Sequence, residues 1–152
     1  MQEKLTQEDG SVYEGETLNG KPHGKGRLTR TYEFDVNGVI KVKEHTVYEG
    51  DFVNGKRHGK GRFTSNGFKY EGDFANDDFN GKGISSTSDG LIYEGDFVDH
   101  KFHGKGKAID DDGIIYEGDF VNSEPHGKGK MTYPDGRVEE GEWKDGKFMG
   151  KG

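Results

Sequence analysis

Residues 48–63 read YEGDFVNGKRHGKGRF, and near-copies of this stretch fill most of the chain. Side chains alternate along an extended strand, so YEGDF puts Tyr48, Gly50 and Phe52 on one face and Glu49 and Asp51 on the other. HGKGRFT alternates in the same way, with Gly59, Gly61 and Phe63 on one side and Lys60, Arg62 and Thr64 on the opposite one. Between them VNGKR carries Asn54-Gly55, the dipeptide favoured in two-residue hairpins. The second strand runs into the next copy through SNG, SDG, DDG or PDG, again turn chemistry. Strand, turn, strand, turn makes an antiparallel meander. No stretch has helical periodicity, and glycine at this frequency works against a helix.

Counted from the Tyr of YEG, the repeats start at Tyr13, Tyr48, Tyr70, Tyr93 and Tyr116, and a sixth starts at Glu139, where Glu replaces the Tyr. The period is 22–23 residues, apart from one insertion after the first repeat. Residues 1–152 are expected to form a single domain, and Gly152, inside the sixth repeat, is expected to be the edge of a longer protein.

Only 28 % of residues are hydrophobic and 34 % are charged, too few apolar side chains for a two-layer core. Glycine inside a strand marks close approach of another group to the backbone. Here glycines share a face with the large aromatics, so each Tyr and Phe is expected to lie across a glycine of the adjoining strand. The rings then pack along the sheet in a core one side chain thick, with burial supplied by neighbouring repeats. On the other face Glu49 and Asp51 are expected across from Lys60 and Arg62, as exposed pairs each contributing roughly 0.2–1 kcal/mol.

The pattern Y-E-G-D-F-x-N-G-K-x-H-G-K-G, closed by D-G before the next Tyr, resembles the MORN (membrane occupation and recognition nexus) repeat over residues 13–152, the insertion excepted. The resemblance implies an elongated all-β rod of stacked hairpins in a single antiparallel layer, curved into a shallow groove. Three repeats depart from the pattern. Thr17 replaces the aromatic of the first repeat, which suggests capping or fraying there; Asn80 stands where the others have His23, His58, His103 and His126; and the sixth repeat has Trp143 at its aromatic position. The insertion, residues 30–47, reads as a lengthened hairpin turning at DVNG, within an extended hairpin spanning about residues 27–50. A second reading makes its apolar edge a partner contact, against which Lys41, Lys43 and Glu44 act as edge blockers.

Several chemistries are excluded. The GxxxxGK strings at Gly15–Lys21, Gly50–Lys56 and Gly141–Lys147 lack the Ser/Thr for magnesium and the helix that presents amides to phosphate, and read as turns. Equivalent histidines are two strands, roughly 9–10 Å, apart, too far to share a zinc ion that holds its ligands at about 2 Å; His100 and His103 have no third ligand. These histidines are expected to close the turn and pack on an aromatic. Asp110-Asp111-Asp112-Gly113 lacks the EF-hand spacing and reads as a turn. Recurring carboxylates without a cleft read as structural, so no enzyme activity and no cofactor are expected. The charge of −7 disfavours nucleic acid, there is no membrane-spanning run or signal peptide, and cysteine is absent, which makes the cytoplasm the simplest compartment.

The expected function is therefore a protein-interaction scaffold that binds a partner helix or peptide on its aromatic face. The contact residues are expected to be Tyr48, Phe52, Tyr70, Phe74, Tyr93, Phe97, Tyr116 and Phe120. The resemblance adds cytoskeletal association and self-association into dimers. The alternative is attachment to anionic phospholipid through Lys25, Arg27, Lys60, Arg62, Lys105, Lys107, Lys128 and Lys130, opposed by the interleaved acids. A third reading makes the chain the non-catalytic part of a larger enzyme such as a phosphatidylinositol phosphate kinase, an arrangement the resemblance suggests.

Overall fold

A computed structural model describes residues 2–7 and 10–150. They form thirteen strands and no helix. The chain divides into two compact halves, residues 1–77 and 78–152. The N-terminal half contains β1 (Gln2–Thr6), β2 (Val12–Leu18), β3 (Lys21–Val36), β4 (Val39–Val53), β5 (Lys56–Ser65) and β6 (Phe68–Ala75). The C-terminal half contains β7 (Asp78–Ser86), β8 (Ile92–Val98), β9 (Lys101–Ile109), β10 (Ile115–Val121), β11 (Glu124–Thr132), β12 (Val138–Lys144) and β13 (Lys147–Gly150). In each half sheet order follows chain order and every pairing is antiparallel, the meander expected from the repeat.

Within a repeat the hairpin turns on two residues of positive φ, as in Asn54 (50°) and Gly55 (82°), while the β7–β8, β9–β10 and β11–β12 turns have one, a glycine. The two-residue twist matches the flanking strands. The insertion extends β3 and β4 into one long hairpin that turns at Asn37-Gly38. The side chains of 32–36 and 39–45 lie outside the described ones, and with them the expected contact edge.

Within a repeat the two strands are not of equal length. Gly50 pairs with Gly61 and Phe52 with Arg57, so three residues of β5 stand against one of β4. The same bulge recurs between β8 and β9 and between β10 and β11. It frees backbone groups that side chains then satisfy. The Lys60 amide donates to Asp51 Oδ2 at 3.2 Å, and the Tyr48 hydroxyl donates to the Asp51 carbonyl at 2.7 Å. Gly59, at the bulge with φ +94°, has no room for a Cβ beside the Asp51 carboxylate.

The core is the ring layer. Tyr13, Tyr48, Tyr70, Tyr93 and Tyr116 are at most 3 % exposed. Each phenylalanine lies opposite the first glycine of the preceding HGKG, as Phe52 does to Gly24 and Phe97 to Gly81. The tyrosines cover glycines of the adjoining strand as expected, but on the diagonal: Tyr48 pairs with Phe63, and its ring leans over Gly61, where a Cβ would stand inside it. Tyr93 covers Gly106 and Tyr116 covers Gly129 in the same way. Edge-to-face contacts make a zigzag in each half. Tyr13–Phe52 and Phe52–Tyr48 are 5.0 Å apart and Tyr48–Phe74 4.9 Å; Phe97–Tyr93 is 5.0 Å, Tyr93–Phe120 5.1 Å, Phe120–Tyr116 5.0 Å and Tyr116–Trp143 5.4 Å. Such pairs add about 0.5–1.5 kcal/mol beyond burial.

β1 closes the N-terminal half. Lys4-Leu5-Thr6 repeats the chemistry of Arg27-Leu28-Thr29, and Leu5 pairs with Tyr13 as Leu28 pairs with Tyr48. Glu3 takes the glycine position, opposite Gly15. Of the two readings of Thr17, capping describes this end: a strand covers Tyr13.

Candidate interaction surface

The eight aromatics expected to present a contact row, Tyr48, Phe52, Tyr70, Phe74, Tyr93, Phe97, Tyr116 and Phe120, are 0–3 % exposed. Expected both as core and as contact residues, they are covered: their surface is spent on glycine and on one another. What lies above them is the side chain just before HGKG, which sequence reasoning missed. Arg57 stands over the Tyr48, Phe63 and Phe74 rings at 5.4–5.8 Å. Phe102 stacks on Tyr93 at 3.8 Å with an interplanar angle of 3°. Pro22 is buried at the same position.

That position also sets how repeats join. The amide of the second turn residue donates to the carbonyl of the preceding repeat: Gly55 to Pro22, Asp77 to Arg57, His100 to Phe79, Ser123 to Phe102 and Gly146 to Pro125. Where the acceptor residue has an N–H, the turn side chain accepts it in return. Arg57 N donates to Asp77 Oδ1 at 2.8 Å, Phe79 N to His100 Nδ1 at 3.5 Å and Phe102 N to Ser123 Oγ at 3.1 Å. Where the turn residue is glycine, with no side chain to accept, the partner is proline, with no N–H to satisfy. The signal was present in the sequence as a correlation between adjacent repeats, but no single repeat displays it.

The histidines serve the same joints. His23, His58 and His126 accept at Nδ1 from the amides of Asn54, Asn76 and Asp145, at 3.3–3.4 Å. They cap the next turn; the expected packing on an aromatic is seen for His100, 4.6 Å from Phe79.

On the polar face Glu49 stands across from Arg62 as expected, while the ion pairs join successive repeats. Lys25 meets Asp51, Lys60 meets Asp73, Lys82 meets Asp96 and Lys105 meets Asp119. Arg27–Glu49 (3.8 Å) and Arg62–Glu71 (3.3 Å) follow the same rule. The Lys25 ammonium, with the Lys60 amide, holds the Asp51 carboxyl below its ordinary range despite partial burial; Lys105 and the Lys128 amide do the same for Asp119. Of the eight bases weighed for lipid, Lys25, Arg27, Lys60, Arg62 and Lys105 are thus paired with acids. Lys107, Lys128 and Lys130 stand in register between Glu94 and Glu117, beside Glu142, and between Glu117 and Glu140.

The glycines of the GxxxxGK strings sit in turns or at bulges leading into strands. Asp110, Asp111 and Asp112 bring carboxylate oxygens within 4.8 Å of one another. Asp110 Oδ1 accepts from the amides of Asp112 and Ile114, the bonding of the expected turn.

The N-terminal half has an open concavity of about 630 Å³ lined by Pro22, Leu28 and Phe52, with Lys21, Asn54 and Asp77 at its mouth. A smaller hollow of about 390 Å³ on the polar face of the C-terminal half is walled by Glu117, Lys128, Lys130 and Glu140. No helix among the described residues is long and apolar enough to cross a membrane.

A family model described as MORN repeat matches residues 13–31, 48–67, 70–92, 93–114, 116–136 and 140–152. A search of curated proteins found no match of significance.

Proposed function

The chain belongs to the MORN-repeat family, and from that premise we propose that it is a non-catalytic protein-interaction module that holds a partner helix or peptide on its ring-bearing face. The observation that supports this most directly is the concavity of the N-terminal half, about 630 Å³ and lined by Pro22, Leu28 and Phe52 together with polar residues such as Gln7, Ser11 and Asn54. Pockets of this size with apolar and polar lining groups suit a side chain or short segment of a partner. The buried rings shape and stiffen this concavity, and the partner touches the side chains above them. Phospholipid attachment is the weaker reading, because bases held by carboxylates offer little to a headgroup.

A photo-crosslinking residue placed at Lys21, at the mouth of the concavity, is compared in cell extract with one at Lys60, on the polar face. Protein adducts are expected from the first and not the second. Adducts from Lys60 alone overturn the choice of face, and adducts from neither overturn the interaction module.

A further inference from the structure

We propose that the polar face of the C-terminal half carries a second docking surface, for a basic amphipathic helix of another protein. It lies on the opposite side of the sheet from the ring-bearing face and stands or falls apart from it.

Cross-strand register puts Ser86, Ile92, Ile109, Ile115, Thr132 and Val138 in one row across β7–β12. Ile84, two residues before Ser86 on β7, adds to it on the same face. Ile84, Ile92 and Val138 are 48 %, 44 % and 49 % exposed, as exposed as the isolated Leu18 (51 %) and Val98 (43 %), and differ from those in lying beside further isoleucines in one row. The N-terminal half is the internal comparison. There the same row reads Val12, Thr29, Val47, Thr64 and Lys69, with no two apolar residues adjacent, whereas the C-terminal row sets Ile92, Ile109 and Ile115 side by side between Ser86 and Thr132. Ile84 also occupies the position of Arg62, so Glu94 faces an isoleucine where Glu71 faces a guanidinium.

Charge says what covers this row. The turns along one flank, residues 87–91, 110–114 and 133–137, hold five Asp and one Arg. That arginine is already engaged, with Asp135 at 3.0 Å and over the Tyr133 ring at 4.3 Å. In the N-terminal half the turn at 65–67 has no acid, and the sequence of the turn at 7–11 carries Glu8 and Asp9, so what distinguishes the C-terminal half is three acidic turns in succession. Gly90 and Asp111 are close enough that a Cβ on the glycine would stand 2.9 Å from the aspartate, which brings two of these acidic turns together. An apolar row beside a negative bank matches a segment with apolar side chains on one stripe and Lys or Arg beside it. From β8 to β12 is four strand spacings, about 19 Å, the length of about 13 helical residues. Helical turns at about 5.4 Å also run close to the strand spacing of about 4.8 Å, so successive apolar residues of the helix meet successive strands. The described residues contain no helix, and the proposed occupant is a helix of another protein.

The test titrates the isotope-labelled full chain with a synthetic helix-forming peptide carrying leucines at i, i+3, i+4 and i+7 and lysines on the flank. The same peptide with glutamates, and vesicles containing phosphatidylserine, are run beside it. The lysine peptide is expected to shift amides of the isoleucine row and to lose affinity as salt is raised. Its affinity is expected to drop at least about tenfold, a change of about 1.4 kcal/mol, with Ile84→Thr/Ile92→Thr. Those changes are β-branched and exposed, so the strands are kept. Asp111→Asn/Asp112→Asn is expected to flatten the salt dependence. The proposal is overturned if the lysine peptide does not bind, if the glutamate peptide binds equally, if the shifts fall elsewhere, if both variants bind unchanged with an unaltered circular dichroism spectrum, or if the vesicles bind and the peptide does not.

Discussion

Gly61 lies under the Tyr48 ring, and a methyl group there has nowhere to go. Gly61→Ala is therefore expected to destabilise by about 1–3 kcal/mol through overpacking. Lys60→Ala, one residue away, removes only the exposed ion pair with Asp73 and is expected to cost less than about 1 kcal/mol. Urea denaturation of the two variants gives the comparison, and equal costs would mean that the ring is free to move aside. The ring also carries a titration. Burial, and then the charge of Asp96 or Asp119, pushes the hydroxyls of Tyr93 and Tyr116 up to about 12. A raised folded-state pKa means that the protonated form is favoured by folding. The associated stability is complete below the ordinary tyrosine value of about 10 and is lost as pH rises through the folded value. Tyrosinate absorbance followed beside circular dichroism is expected to show these phenols ionising late, together with loss of strand signal. Ordinary titration with the fold intact would mean that these hydroxyls are reached by water.

Between hairpins, the pairing of glycine with proline and of an acceptor side chain with an N–H is a rule about neighbours, and a double-mutant cycle tests it. Pro125→Ala introduces an amide facing Gly146, which has no side chain to accept from it. Gly146→Asn supplies an acceptor that tolerates positive φ, in the manner of Asp77 facing Arg57. Each change alone is expected to destabilise, and the double variant to recover about 0.5–1.5 kcal/mol of coupling, the net value of one hydrogen bond. Strict additivity would show that the bond between repeats is incidental. The strands, the turns and the long insertion hairpin were legible because each is written locally, in period-two alternation and in Asn-Gly or Asp-Gly pairs. The neighbour rule was not, because it resides in the correlation of two variable positions, 22 with 55 or 102 with 123, that carry no signal alone. β1 was passed over because Glu3 replaces the glycine that marks every other second strand. The aromatic positions were read correctly as one face, while their exposure was not: whether a ring is covered depends on the diagonal lean over Gly61 and on Arg57 or Phe102 above it, and alternation encodes neither.

For the chain as a whole, each hairpin is too small to be stable alone, and what holds it is the joint with the next. The joints share one electrostatic element, an aspartate that accepts its own repeat's lysine amide and the preceding repeat's ammonium. Asp51 accepts from Lys60 N and meets Lys25, and Asp119 accepts from Lys128 N and meets Lys105. Because Lys25 and Lys105 lower these two carboxyls, the unfolded chain binds protons that the folded chain refuses. The stability they contribute is present above the ordinary aspartate value of about 3.9 and disappears as pH falls through the depressed folded values. Urea midpoints measured from neutral pH downward are thus expected to hold and then fall in the acid range. Asp119→Asn keeps an acceptor for the Lys128 amide but removes the titration, so it is expected to lower the neutral-pH midpoint and to flatten the acid limb. An acid limb as steep in Asp119→Asn as in the parent would assign the acid sensitivity to other carboxylates and leave the Asp–Lys joint without a share in holding the repeats together.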